Sequence, residues 1–177
     1  MKFGTLDFVT ADQRPELIAA PTRRAIEKYG LTSVLVAGID AALADTAAFC
    51  AAYNIGLDVS ANCVIVEAKR ADKVWQAACM ILATDRVDVN GTVRRQLDAR
   101  KISFAPMDTA VSLTGMEYGG INPIGLPDDW EILVDTAVAK QPWVIIGSGI
   151  RGSKILVPGS TLPQLPNVTV LNLAKHS

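Results

Sequence analysis

Histidine is almost missing from this sequence: the only one, His176, stands next to the C-terminus. Terminal residues are commonly poorly ordered, which leaves Ser-His-Asp, Cys-His and multi-histidine metal chemistry without a base or a ligand set. Cysteine is scarce as well. Cys50, Cys63 and Cys79 are odd in number and lack CxxC spacing, which opposes both a disulfide framework and a zinc site and reads as three buried thiols in a reducing compartment. Neither sign of charge is in excess, with 17 basic against 18 acidic side chains. A general nucleic-acid coat is therefore excluded, and any contact with nucleic acid must use a local patch. No apolar run reaches the length of a membrane span and no secretory leader follows Met1, so the expected location is cytoplasmic.

What is present suits one folded domain. Half of the 177 residues are hydrophobic and a fifth are charged, enough to bury a core. Pro15–Ile18 and Pro21–Tyr29 read as helical stretches, with Gly30 as a stop. Ser33–Ala37 reads as a strand, and Asp45–Tyr53 as an Ala-rich helix ended by Gly56. Cys63–Ala68 and Trp75–Ala83 are apolar runs joined by the polar segment Lys69–Lys73, the pattern of a hairpin. Thr92–Ala99 reads as a helix with Val93 and Leu97 on its inner face, and Met107–Leu113 as another. Short strands are expected at Ile132–Val134, Val144–Ile146, Ser153–Val157 and Val168–Leu171. Trp130 and Trp143 suit a core or an interface equally. Helices and strands are interspersed, so the fold class is α/β in the mixed α+β sense, a mixed sheet with helices packed around it.

Gly147-Ser148-Gly149-Ile150-Arg151-Gly152 matches GxGxxG and follows an apolar strand. The context fails a dinucleotide site: Ser153–Val157 continues as a strand rather than a helix, and no acidic residue follows to hold a ribose. The segment is either a tight turn between strands or a loop whose backbone approaches something closely. The densest glycine signal is Thr114-Gly115-Met116-Glu117-Tyr118-Gly119-Gly120-Ile121-Asn122-Pro123-Ile124-Gly125. Such a loop can aim several N–H groups at one oxyanion or carbonyl. Asp135, at the end of an apolar strand, is either a helix cap or a site residue. Arg94, Arg95, Arg100 and Lys101 cluster around one expected helix and can meet phosphates, or form a solvated face.

In order, Cys63–Val66, the Thr114–Gly125 loop, Val134-Asp135 and Gly147–Gly152 resemble the YbaK/ProX family, related to the editing insertion of bacterial prolyl-tRNA synthetases. The resemblance runs from about Asp45 to Leu173, leaving 1–44 as an N-terminal extension of a 45–173 core within a single domain. It implies a compact mixed sheet partly closed into a barrel, and hydrolysis of the ester of mischarged aminoacyl-tRNA carrying a small amino acid. It further implies that Asp135, Gly119 and Gly120 serve catalysis. Ile121, Asn122, Pro123, Thr114, Gly115, Gly147, Ser148, Gly149 and Arg151 would bind substrate. Arg94, Arg95, Lys101 and Lys69 would meet tRNA phosphates at the acceptor end. No cofactor or metal is implied. Partners would be mischarged tRNA and, in addition, a synthetase, with neither DNA nor membrane. One departure stands out. Family enzymes carry a lysine in the strand corresponding to Cys63–Ala68, nearest Ile65 here, and this strand has only Glu67 as an ionisable group, with Lys69 beyond it. The alternative is therefore a binding module that has lost catalysis. An aminoacyl ester is already activated, so positioning and modest charge stabilisation suffice, with the ribose hydroxyl of the substrate assisting.

Overall fold

Three two-residue strands open the chain, β1 (Lys2–Phe3), β2 (Leu6–Asp7) and β3 (Val9–Thr10). They are too short to show an alternating pattern in sequence. This computed structural model describes residues 1–175, so His176 lies outside the described residues. Pro15–Leu17 makes one 3-10 turn, and α1 (Ala20–Lys28) follows with Pro21 in its first turn. β4 (Leu35–Gly38) begins two residues later than expected. α2 (Thr46–Tyr53) ends not at Gly56 but at Asn54, whose left-handed backbone (φ 53°) closes the helix two residues earlier.

The hairpin forms from β5 (Ala61–Arg70) and β6 (Lys73–Leu82). The polar segment is mostly strand: Lys69 pairs with Val74 and Arg70 with Lys73, so only Ala71 and Asp72 turn. The helix expected over Thr92–Ala99 shrinks to a wide turn over Val89–Val93 and a single α turn, α3 (Arg94–Gln96). The Asp88 carboxylate takes the N–H groups of Gly91 and Thr92 and the Thr92 hydroxyl, and Asp98 at φ 53° ends the segment. Val93 and Leu97 are nevertheless buried on one side while Arg94 and Arg95 face out. β7 (Lys101–Phe104), whose polar residues interrupt any apolar run, is an edge strand on β5. α4 (Met107–Thr114), β8 (Glu131–Asp135), β9 (Val144–Gly147), β10 (Ser153–Val157) and β11 (Val168–Leu171) follow where the apolar runs indicate, and the short helix α5 (Thr136–Ala139) follows directly on β8.

One sheet runs β3-β4-β10-β9 and a second runs β11-β8-β6-β5-β7. β8 is parallel to both β6 and β11, and the other pairings are antiparallel. An isolated bridge from Ser60, just ahead of β5, to Ile145 of β9 links the two sheets. The principal core lies between them and holds Ile65, Met80, Ile124, Trp130, Ile146 and Ile155. A second core, with Val66, Val93, Leu97 and Leu173, fills the other face of the five-stranded sheet. Trp143 packs against a third cluster around Phe8 and Phe49. The result is the mixed α+β class. Residues before Asp45 contribute two of the four strands in the first sheet. No helix among the described residues is long and apolar enough to cross a membrane.

Candidate active site

β5 pairs with β7 only from Val66 onward, which leaves its first residues at an open edge. Against that edge stand the end of β9, the glycine loop and the start of α2. Together they bound a cleft of about 280 Å³ lined by Asp45, Thr46, Asn62, Gly119, Ile121 and Lys154, with Cys63, Tyr118 and Gly147 completing its walls.

Lys154 is the one buried cation at this cleft. It sits on β10 opposite Gly147 of β9 and Ala37 of β4, and only 6% of it is exposed. Its Nζ donates to the Ala44 carbonyl at 2.8 Å and lies 5.2 Å from the centre of the Phe49 ring. Burial pulls its pKa down to about 8; nearby Arg151 adds to that fall, and Cys50 and Asp45 act against it. An ammonium has three donors, and Ala44 takes one. Beside it, the Thr46 hydroxyl donates to the Asn62 side-chain oxygen at 2.6 Å, which leaves the amide N–H₂ of this cleft-lining residue as a donor without a partner among the described residues. α2 begins here without a side-chain cap, so the N–H groups of its first turn have no side-chain acceptor of their own. The Cys63 thiol is pushed up by burial, with Cys79 close by. It therefore stays protonated and is no nucleophile. Cys63 is half-buried rather than buried, unlike Cys50 and Cys79.

The glycine loop and the turn after β9 are locked together. Gly149 N–H donates to Gly120 O at 2.7 Å, and Glu117 N–H to Gly149 O at 2.9 Å. The Arg151 guanidinium reaches Tyr118 O at 3.1 Å and Asp45 at 3.7 Å, while its backbone N–H meets the Glu117 carboxylate at 2.8 Å. A Cβ on Gly119, held at φ 81°, would press on that guanidinium. Arg151 is thus a clamp at the rim.

Of the residues assigned by resemblance, Gly119, Ile121 and Gly147 line the cleft and Arg151 braces it. Gly120 lies beneath, its N–H donated to Glu117 O within the turn. The N–H groups of Tyr118, Gly119 and Ile121, which find no partner among the described residues, belong to loop residues that line the cleft and are the donors the loop can offer there. The other positions sit elsewhere. Both oxygens of Asp135, which is 4% exposed, are used structurally: one caps α5 through Ala137 N–H, and the other accepts from Leu173 N–H at 2.7 Å. Ser148 is enclosed by its own turn and accepts from the Ser153 hydroxyl at 2.6 Å. Asn122 faces inward to Thr22 and Ile124 N–H. Thr114 bonds the Ala110 carbonyl of its own helix, Gly115 is that helix's left-handed end, and Gly149 packs on Ala19. Pro123 faces a different cavity, beside Pro21 and Trp130. Lys69, Arg94 and Lys101 gather in a separate groove with Glu67 and Arg100, while Arg95 does not line it.

Ile65 packs into the principal core, on the same face of β5 as Ala61 and Cys63, which line the cleft. Lys154, Asn62 and Thr46 escaped the sequence reading. The available signal was a lysine inside Ser153–Val157, five consecutive residues that are otherwise mostly apolar, since a buried lysine is rare without a task. Among the described residues, no group of three His, Cys, Asp or Glu side chains could hold a metal ion.

Residues 40–165 match the family described as the aminoacyl-tRNA editing domain. Among curated proteins, none matches this sequence. Solved structures share the fold at low identity. A candidate trans-editing enzyme for prolyl tRNA synthetase superposes with a TM-score of 0.75 at 17% identity, over 90% of this chain and 99% of that one. Hypothetical protein APE2540 gives 0.77 at 17% identity, over 88% and 99%. A candidate signal transduction protein from Marinobacter aquaeolei VT8 gives 0.60 at 14% identity, over 88% of this chain but 30% of its own. With the family matched over most of its length, the chain belongs to the aminoacyl-tRNA editing domain family.

Proposed function

We propose that the cleft deacylates mischarged aminoacyl-tRNA in trans, hydrolysing the ester between a small amino acid and the terminal ribose. The observation that carries this reading is the convergence of a buried ammonium, Lys154, and an unpartnered amide, Asn62, on a small cleft bounded by the glycine loop. The volume is at the lower end for ligand sites, which suits a small aminoacyl group.

Water adds to the ester carbonyl, the carbonyl carbon–ribose oxygen bond breaks, and the ribose oxygen leaves as a hydroxyl with the proton that the water gives up. The neighbouring ribose hydroxyl orients the water. Gly119 and Ile121 N–H groups, with Lys154, stabilise charge growing on the carbonyl oxygen. The reading as a binding module rested on a missing lysine, and Lys154 supplies an ammonium from another strand.

Incubation of the purified protein with tRNAs mischarged with small amino acids tests this. Release of at least one amino acid well above the uncatalysed rate is expected. Tight binding of the same tRNAs with no turnover would overturn it in favour of the binding module.

A further inference from the structure

The cleft does not end at Asn62. The same residue lines a second groove of about 590 Å³, whose floor is Val64, Ile81, Ile102 and Phe104. This groove shares Asn90, Ile102 and Ser103 with a third, of about 630 Å³, that carries Lys69, Arg94, Arg100 and Lys101. The three depressions form one path that follows β5 and rounds the β7 edge of the sheet: Val64, Ile102 and Phe104 lie on one face, and Glu67, Lys69, Lys101 and Ser103 lie on the other. Asn62 and Lys69 are seven steps apart on the strand, about 23 Å.

The path changes character along its length. Phe104 is register partner of Val66, and Ile102 of Ala68, so their side chains share one face of the sheet. Phe104 is 66% exposed there, an aromatic ring on a floor that is otherwise aliphatic. Arg86 and Lys175 stand along the same groove, and Arg94, Arg100 and Lys101 beyond it. The acidic residues on the path are Asp85, Asp88 and Glu67. Asp88 is occupied by its own turn, and Glu67 is paired with Lys69 at 3.7 Å. An apolar floor with an exposed ring between basic edges matches a single-stranded nucleic acid, whose bases stack while its phosphates meet the cations.

We propose that this path is the track for the unpaired 3′ end of tRNA, with a base stacked on Phe104 and the preceding phosphates held by Arg94 and Lys101. The assignment rests on reading the cleft as an aminoacyl-tRNA site and extends it outward. It also explains how a chain with no overall positive charge would hold RNA.

The test is fluorescence anisotropy with a short single-stranded oligoribonucleotide, labelled at its 5′ end and ending in CCA. Phe104→Ala should weaken binding about fivefold or more, while Phe104→Trp keeps it. The double variant Arg94→Ala/Lys101→Ala should weaken binding and flatten the salt dependence by a slope of about 1.4. Lys28→Ala/Lys140→Ala removes the same charge away from the path and should change affinity less than about twofold. Wild-type protein that fails to bind the oligonucleotide, or groove variants that match wild type or the control double variant, would overturn the track. Deacylation is measured separately on the same proteins. Groove variants with unchanged KM in an active enzyme sink the track and leave the function standing. The expected binding pattern without hydrolysis of any mischarged tRNA sinks the function and leaves the track.

Discussion

Lys154 is held in tension between folding and binding. Its neighbours on β10 are all buried, and its ammonium is kept from water with one carbonyl partner. Because burial lowers its pKa from 10.5 to about 8, the folded chain sheds this proton before the unfolded chain does. Between about pH 8 and 10.5 the unfolded state binds more protons, so this residue makes stability rise with pH across that window. Its charge, and any substrate contact that depends on it, is complete below about pH 8 and fades above. Lys154→Met should therefore reduce kcat/KM about tenfold or more, leave Tm no lower than wild type, and remove the activity decline above pH 8. Lys154→Arg should keep a charge at that pH but fit the site poorly. Steady-state pH profiles alongside thermal melts check this, and a variant that melts lower with an unaltered profile would reduce Lys154 to packing. At this scale little of the site was legible. A residue's partners across sheets, such as Ala44 for Lys154 or Thr46 for Asn62, are set by pairing between distant segments. Asp135 shows the converse: a carboxylate at a strand end looks the same in sequence whether it faces a cleft or caps the next helix.

At the scale of elements, the cleft depends on two chain segments meeting without side chains between them. A Cβ on Gly147 would overlap the Gly120 carbonyl, so β9 can approach the glycine loop only as glycine. Gly147→Ala should cost about 1–3 kcal/mol of stability and raise KM by displacing Gly119 and Ile121. Urea unfolding and steady-state kinetics on the same preparation check both. An alanine variant with unchanged KM would mean that the loop tolerates the shift. Element existence was largely legible here, because buried strands such as Val144–Gly147 and Ser153–Val157 announce themselves as apolar runs. What escaped obeyed local chemistry instead. Asp88 replaced a full helix by a wide turn, Asn54 took over the helix stop from Gly56, and β7 hid its strand behind polar residues at a sheet edge.

For the whole molecule, the segment before Asp45 is woven into the sheet that carries Lys154. β4 pairs with β10 over four residues, Ala19 N–H bonds Ser148 O, and Thr22 accepts from Asn122. Removal of residues 1–44 should leave a chain without a cooperative thermal transition, since it strips one neighbour from β10 and opens the principal core at Ala25, Leu31 and Val34. A truncated protein that melts sharply and still hydrolyses ester would show the remainder to be self-sufficient. Composition could not reveal this integration, because nothing in the first 44 residues differs in kind from the rest. The cleft itself has glycine on two sides, Gly119 in the loop and Gly147 on β9, with Arg151 tying the rim. The larger side chains at this chamber are few, chiefly Tyr118, Ile121 and Lys154. Exchanging residues at Tyr118 or Ile121 reshapes its doorway, but its depth follows from how many residues the loop contains. Selectivity is then written as a length of chain, and it would be revised by inserting or deleting residues rather than by replacing them.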